Sequence, residues 1–316
     1  MKKKVPLAGT SELTAHLPPI ERFQLSLGHN FAFSDQYGAL HDAAEYCKKN
    51  GNLTPPGIWQ HGVFGPWEQN DPGSIMYHSP NLGKLNSFVA RQDEENFLKN
   101  RGIKNCKAIG MPIVYVEKPN INRLKNTLLV VPIHTVAGLK KFASANKIKE
   151  YCQQIKSLTQ HFDYTAVCLH YGDIVNSYWL KEFYKLNIDF ILGGYPSDRN
   201  SNKRQAYLYS LFDYVTTNGW GSHVPYALSF GAKVSVWGRA PDIDLDTAAR
   251  DIGGGGRERV MKKRSRDISE KRELFLSSMR CHPMEATTDV SLGDYLIGRP
   301  RKRKPEELRK IFSWDS

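Results

Sequence analysis

A chain of 316 residues is long enough for two domains of ordinary size, and 40% hydrophobic with 11% aromatic content excludes an intrinsically disordered protein. A net charge of +12 and a pI near 9.4 point to anionic partners. No run approaches the roughly 18–20 apolar residues that span a bilayer, and the basic start Lys2–Lys4 lacks the apolar stretch of a signal peptide.

The expected setting is therefore the cytoplasm, with basic segments able to reach an anionic inner membrane face. The excess charge is concentrated in Lys2–Lys4, Arg257–Arg272 and Arg299–Lys304. Aromatic residues are not interleaved with these runs as stacking platforms, so nucleic acid is not the expected partner. The five cysteines (Cys47, Cys106, Cys152, Cys168, Cys281) are odd in number and show no CxxC or metal-ligand spacing, which suits thiols in a reducing compartment.

In chain order, Phe23–Leu27 and Phe31–Phe33 are short apolar pieces that suit a strand and its exit loop. Ala39–Lys49 predicts a helix with Leu40, Ala43, Ala44 and Cys47 on one side. The stretch Ile58-Trp59-Gln60-His61-Gly62-Val63-Phe64 places His61 at a strand end beside glycine. A histidine at such a loop tip can serve as general base; a purely structural histidine fits the same position. Leu85–Ala90 predicts a strand, and Arg91–Leu98 opens a helix with acids in its first turn. Cys106–Ile109 is a further strand, and Gly110-Met111-Pro112 breaks the chain before the apolar Ile113–Val116. Lys118–Asn126, polar with a proline, reads as a linker.

Thr127–Pro132 is a continuous apolar run, as a central parallel strand requires, and His134-Thr135 follow at its carboxyl end. A helix over Ile148–His161 leads to a strand at Thr165–His170. Trp179–Tyr184 is helical, and Ile188–Leu192 is a strand that ends in Gly193-Gly194-Tyr195. A helix at Arg204–Leu211 precedes a strand at Tyr214–Thr217 and the polar loop Asn218-Gly219-Trp220-Gly221-Ser222-His223. Val224–Phe230 is helical and contains Tyr226; Gly231 ends it, and Lys233–Trp237 is the last strand. Ser222 or His223 is placed to cap that helix, turning backbone N–H groups toward a phosphate.

Four successive strands thus end in polar loops, at His134, His170, Tyr195 and Ser222. In a parallel sheet these loops line one edge, where open α/β sheets bind ligands. The alternation of strands and helices predicts an α/β fold of two Rossmann-like domains facing a cleft. The expected division is 1–120, 121–285 with a basic insert from about 239, and a tail with a short helix at 286–316. The last strand runs from Gly238 into Arg239, so no acid stands there to hold a metal. Asp242, Asp244 and Asp246 lack the glycine and distal glutamate of a calcium loop. Gly253–Gly256 lacks the strand-before, helix-after setting of a phosphate loop.

The Gln60-His61-Gly62 loop and the stretch TTNGWGSHVPYALSFGAKVSVWG resemble the GT-B glycosyltransferases of bacterial surface polysaccharide synthesis. The nearest kinds are the Kdo- and sialic-acid-transferring enzymes of capsule and lipopolysaccharide, with the CDP-glycerol glycerophosphotransferases more distant. The resemblance covers roughly residues 55–240. It implies a nucleotide-sugar donor on the second domain, with a CMP-linked sugar as one candidate. It also implies a glycan or lipid-linked glycan acceptor on the first domain, and no metal or cofactor. On the donor side it implies His134, Thr135, His170, Gly194, Tyr195, Asn218, Gly221, Ser222, His223 and Tyr226. As catalytic base it implies His61, with Asp35 the one acidic candidate in a suitable first-half loop. The basic insert at 239–285 has no counterpart in the family, and the first half is short for an acceptor domain.

The chemistry this implies is attack of an acceptor hydroxyl on the anomeric carbon, a base taking its proton, and stabilisation of the departing phosphate. Three alternatives stay open: a polyol-phosphate transferase of the same fold using a CDP-linked donor, a basic nucleic-acid-binding protein, and a non-catalytic nucleotide-binding module.

Overall fold

The computed structural model describes residues 16–24, 35–51, 53–65, 67, 71–76, 79, 81–133, 145–176, 178–238 and 266–314. These build an α/β protein with two parallel sheets. The first contains β1 (Ile58–Trp59), β2 (Ser87–Val89) and β3 (Cys106–Ala108) in that order, accompanied by helices α1 (Ala39–Tyr46) and α2 (Gln92–Asn100). The second contains β4 (Leu124–Val130), β5 (Tyr164–Leu169), β6 (Asp189–Leu192), β7 (Phe212–Thr217) and β8 (Lys233–Val236), in the order β6-β5-β4-β7-β8. Its helices are α3 (Ala145–Leu158), α4 (Tyr171–Asn176), α5 (Tyr178–Lys185), α6 (Ser201–Leu211) and α7 (His223–Ser229). The chain enters this sheet at its centre, winds out to β6, then returns to place β7 and β8 on the other side. That is the doubly wound order, with its reversal between β4 and β7.

The second sheet forms because its strands are apolar on both faces. Leu128 and Val130 face one layer, where α3 buries Ile148, Tyr151, Cys152, Ile155 and Leu158 at helical spacing, with Trp179 and Phe183 of α5 beside them. Leu129, Ala166, Val215 and Val234 belong to the opposite layer, with α6 and α7. That second core is continuous with the first sheet, because Trp59, Phe88 and Ala90 lie in the same cluster. The indole of Trp59 donates to the Gly110 carbonyl at 2.9 Å and meets Tyr115 and Phe312 edge-on, each at 5.6 Å between centroids. Phe312 follows the C-terminal helix α10 (Pro305–Ile311), and burying such a ring contributes about 1.5–3 kcal/mol. The tail is therefore part of the core. The tail also carries α9 (Val290–Leu296), and α8 (Arg266–Leu276) precedes it.

Some segments depart from the sequence expectation. Of the pieces expected at Phe23–Leu27 and Phe31–Phe33, only Phe23 and Gln24 lie within the described residues; just before them Arg22 forms an isolated antiparallel bridge with Asp198. Residues 18–23 precede the first sheet in sequence, yet they hydrogen-bond to the second. Phe23 N–H donates to the Ser197 carbonyl and Arg199 N–H to the Glu21 carbonyl, each at 3.0 Å, and Glu21 N–H reaches Asp198 Oδ1 at 2.9 Å. Ile113–Tyr115 form a 3₁₀ turn begun by Pro112. β4 starts at Leu124, inside the expected linker. Of the basic helix expected over Arg257–Arg272, residues 266–272 lie in α8; residues 239–265, with their acidic and glycine-rich stretches, lie outside the described residues. None of the five cysteines is in a disulfide. Among the described residues no helix is long and apolar enough to cross a membrane.

Candidate functional site

A doubly wound sheet opens a crevice outside the carboxyl ends of its strands at the point of reversal, here beyond β4 and β7. Asn218, fully buried after β7, accepts the Ile133 N–H on Oδ1 at 2.9 Å, while Trp179 Nε1 donates to the Ile133 carbonyl at 3.0 Å. The chain leaving β4 is thereby pinned just before His134; His134 and Thr135 themselves lie outside the described residues. Thr217 Oγ1 donates to the Gly219 carbonyl at 3.1 Å, so its contact with His223 Nε2 at 2.8 Å has the imidazole as donor. The ring folds back over Gly221, where a Cβ would stand 2.6 Å from His223 Cε1. Gly221 thus leaves room for His223 to brace its own loop.

Ser222 occupies the N-cap position of α7, but its hydroxyl does not cap the helix. Instead Oγ accepts the N–H of Val63, from the loop after β1, at 2.9 Å. This corrects the local expectation of a side-chain cap: a backbone donor from the other sheet edge takes the hydroxyl. Tyr226, expected on the donor side, is buried in the shared core.

The loop after β1 is held from below by a buried polar network. Gln60, fully buried, accepts the Ala90 N–H at 2.9 Å and donates to the Gly62 carbonyl at 3.0 Å and to Glu94 Oε1 at 3.2 Å. Glu94 accepts the Arg91 N–H at 2.9 Å, which starts α2, and pairs with the Arg91 guanidinium at 3.0 Å. Arg91 also donates to the carbonyls of Phe64 and Leu296. Burial raises the Glu94 carboxyl above its ordinary value, and the charge and N–H of Arg91 oppose that rise. Glutamine, arginine and glutamate together fix the backbone that presents His61.

His61 meets the second sheet through Tyr37. The two rings lie 5.7 Å apart, and the Tyr37 hydroxyl stands 3.4 Å from Nε2 of His170, the residue after β5. His170 Nδ1 accepts the Gly172 N–H at 3.1 Å, which puts the hydrogen of the neutral ring on Nε2 and directs it to the Tyr37 oxygen. Tyr37 has φ 57° and ψ 24°, a left-handed conformation that costs a side-chain-bearing residue about 1–3 kcal/mol. Its N–H bonds the Pro196 carbonyl at 2.7 Å, and at Gly38 (φ 76°) a Cβ would stand 2.2 Å from the Arg199 carbonyl oxygen. The turn is thus clamped onto the loop after β6. A Cβ on Gly194 in that loop would lie 3.9 Å from the Tyr37 ring. Next to it Tyr195 packs edge-on against Tyr171 at 4.3 Å and carries the Arg22 guanidinium 5.1 Å above its ring.

The result is an arc of imidazoles, phenols and a guanidinium running from His61 through Tyr37, His170, Tyr171 and Tyr195 to Arg22. It can offer one base, several hydrogen-bond donors and aromatic faces to a polar ligand. Asp35 is buried, 3% exposed, and its charge acts on His41, which burial and Arg199 hold below the ordinary histidine value. Of the two catalytic candidates, His61 is the one in the arc. Tyr37 and Arg22 were not singled out in the sequence, where the Tyr37-Gly38 pair is only a turn signal and Arg22 an isolated cation.

No protein-family model and no curated protein matches this chain. Among solved structures, it is similar to a UDP-GlcNAc 2-epimerase from Neisseria meningitidis bound to UDP-GlcNAc, with 13% identity, a TM-score of 0.41, and coverage of 86% of this chain and 81% of the other. It is also similar to the UDP complex of MnaA from S. aureus, with 12% identity, a TM-score of 0.38, and coverage of 84% and 76%. A third is UGT2 of Phytolacca americana with UDP-2-fluoroglucose and pterostilbene, at 11% identity, a TM-score of 0.32, and coverage of 87% and 64%. Likeness at this level identifies no relative in function.

Proposed function

We propose that the chain is a nucleotide-sugar-dependent glycosyltransferase of the two-domain GT-B kind, with the donor on the second sheet and a surface-glycan acceptor toward the first. The observation that carries this reading is the meeting of two carboxyl edges. Val63 after β1 donates to Ser222 after β7, and His61 after β1 shares Tyr37 with His170 after β5. A transferase needs its base near its donor phosphate, and the closeness of these two edges supports that reading.

In this reading His61 takes the proton of the attacking hydroxyl. The Asn218–Ser222 loop, at the reversal of strand order, receives the diphosphate or monophosphate of the donor, and Tyr195 lies beside its base. Tyr37, whose oxygen accepts the His170 Nε2–H, donates its own hydroxyl hydrogen to the oxygen that gains charge as the nucleotide departs. The test is a thermal-shift panel of CMP, CDP, UDP, GDP and ADP with the purified protein. A selective rise with one nucleotide, diminished in His170→Ala, is expected and names the donor class. No rise with any of them at millimolar concentration refutes the proposal.

A further inference from the structure

The run Arg299–Lys304 follows α9 and begins α10, and it takes no part in the arc. Arg301, Lys302 and Lys304 are exposed, as is Lys48 across from them. The Lys302 ammonium lies 4.3 Å over the ring of Tyr46 and 5.8 Å from that of Tyr115, which joins the run to the end of α1. Arg303 donates to the Ala108 carbonyl at 2.8 Å, and Arg309 to the Cys47 and Lys48 carbonyls. These guanidinium groups are oriented by neutral backbone oxygens, which fix their position without pairing their charge; Arg303 also acts at longer range on the Glu95 carboxyl. Among the described residues no carboxylate pairs with Lys48, Arg301, Lys302, Arg303, Lys304 or Arg309. The nearby acids are Glu95, whose carboxyl feels the Arg303 charge, Glu306 and Glu307, and Glu307 accepts the Lys304 backbone N–H.

The six cations outnumber the three nearby acids and repel one another, and the Lys302 ammonium is held below its ordinary value by partial burial of its stem and then by Arg299. Such a surface is relieved by an anionic partner. Lys302 covers one face of the Tyr46 ring and Tyr115 is buried, so the patch lacks the row of open rings on which successive bases stack. Beside the cations lies an open groove of about 490 Å³ lined by Tyr46, Cys47, Lys48, Pro305, Glu306 and Arg309, two cations and one carboxylate.

We propose that this face docks the protein on an anionic phospholipid surface. The test is co-sedimentation of the full chain with vesicles of phosphatidylcholine alone or mixed with phosphatidylglycerol. The wild-type protein is expected to partition onto the mixed vesicles only, and to be released as salt is raised. The triple substitution Arg301→Gln, Lys302→Gln, Lys304→Gln spares Arg303 and Arg309, which hold backbone, and is expected to weaken partition about 100-fold, at about fivefold per cation. If the triple variant melts early, Lys48→Gln alone supplies the test, with an expected loss of about fivefold. Failure of the wild type to sediment with mixed vesicles overturns the proposal, as does undiminished binding by the folded variants. Retention on a single-stranded oligonucleotide without vesicle binding overturns it too.

Discussion

Replacing Ser222 by alanine separates two roles that the hydroxyl can hold. In the structure Ser222 Oγ is the acceptor for the Val63 N–H, and Val63 is 4% exposed. Alanine leaves that donor buried without a partner, a loss of about 1–3 kcal/mol. Ser222 itself is only partly buried, so water reaches the gap in part and the lower half of that range, about 1–2 kcal/mol, is expected. An unfolding entropy of about 2.1 cal/mol/K per residue over 316 residues is about 0.7 kcal/mol/K. The expected fall in Tm is therefore about 1.5–3 °C, read by differential scanning fluorimetry without ligand. The variant should keep a nucleotide-induced shift, reduced by the looser loop. A variant that melts like the wild type but has lost the nucleotide shift would refute this reasoning, because the hydroxyl would then face the ligand and not Val63.

Arg91→Ala leaves the fully buried Glu94 carboxylate without its cation and strips donors from the Phe64 and Leu296 carbonyls; about 3–5 kcal/mol of stability should be lost in urea titration. A loss under about 1 kcal/mol would mean that the network does not brace the His61 loop. Glu95 gives the pH prediction. Burial alone would raise its carboxyl, but Lys99 at 2.5 Å, the Ala108 N–H at 2.6 Å and the charge of Arg303 outweigh it and hold the value below the ordinary glutamate range. A folded value below the unfolded one stabilises the protein above the unfolded pKa, and that contribution is lost as pH falls through the folded one. The Tm difference between wild type and Glu95→Gln should therefore be full at neutral pH and vanish in acid; a difference that grows on acidification would contradict the assignment.

The sequence by itself determined the layers. Continuous apolar runs such as Leu128–Val130 and Ala166–Leu169 are buried on both faces, so they require helices on either side and appear as β4 and β5 near their expected bounds. Helical spacing in Ile148–Leu158 fixed α3 for the same reason. Polar loops at the carboxyl ends of strands also marked His61, His170 and Tyr195, because in a parallel sheet that edge is set by chain direction alone. Only the tertiary structure decided which loops meet. Whether Ser222 caps its own helix or accepts Val63, and whether His223 turns outward or onto Thr217, depends on groups 159 residues away in one case and on the room left by Gly221 in the other. Tyr37 and Arg22 belong to the same class. Their short-range sequence signals a turn and a surface cation, and it is the docking of residues 18–23 and of Tyr37-Gly38 on the loop after β6 that brings both to the arc. Local periodicity records which face of an element is apolar; it holds no record of which distant backbone group will be satisfied there.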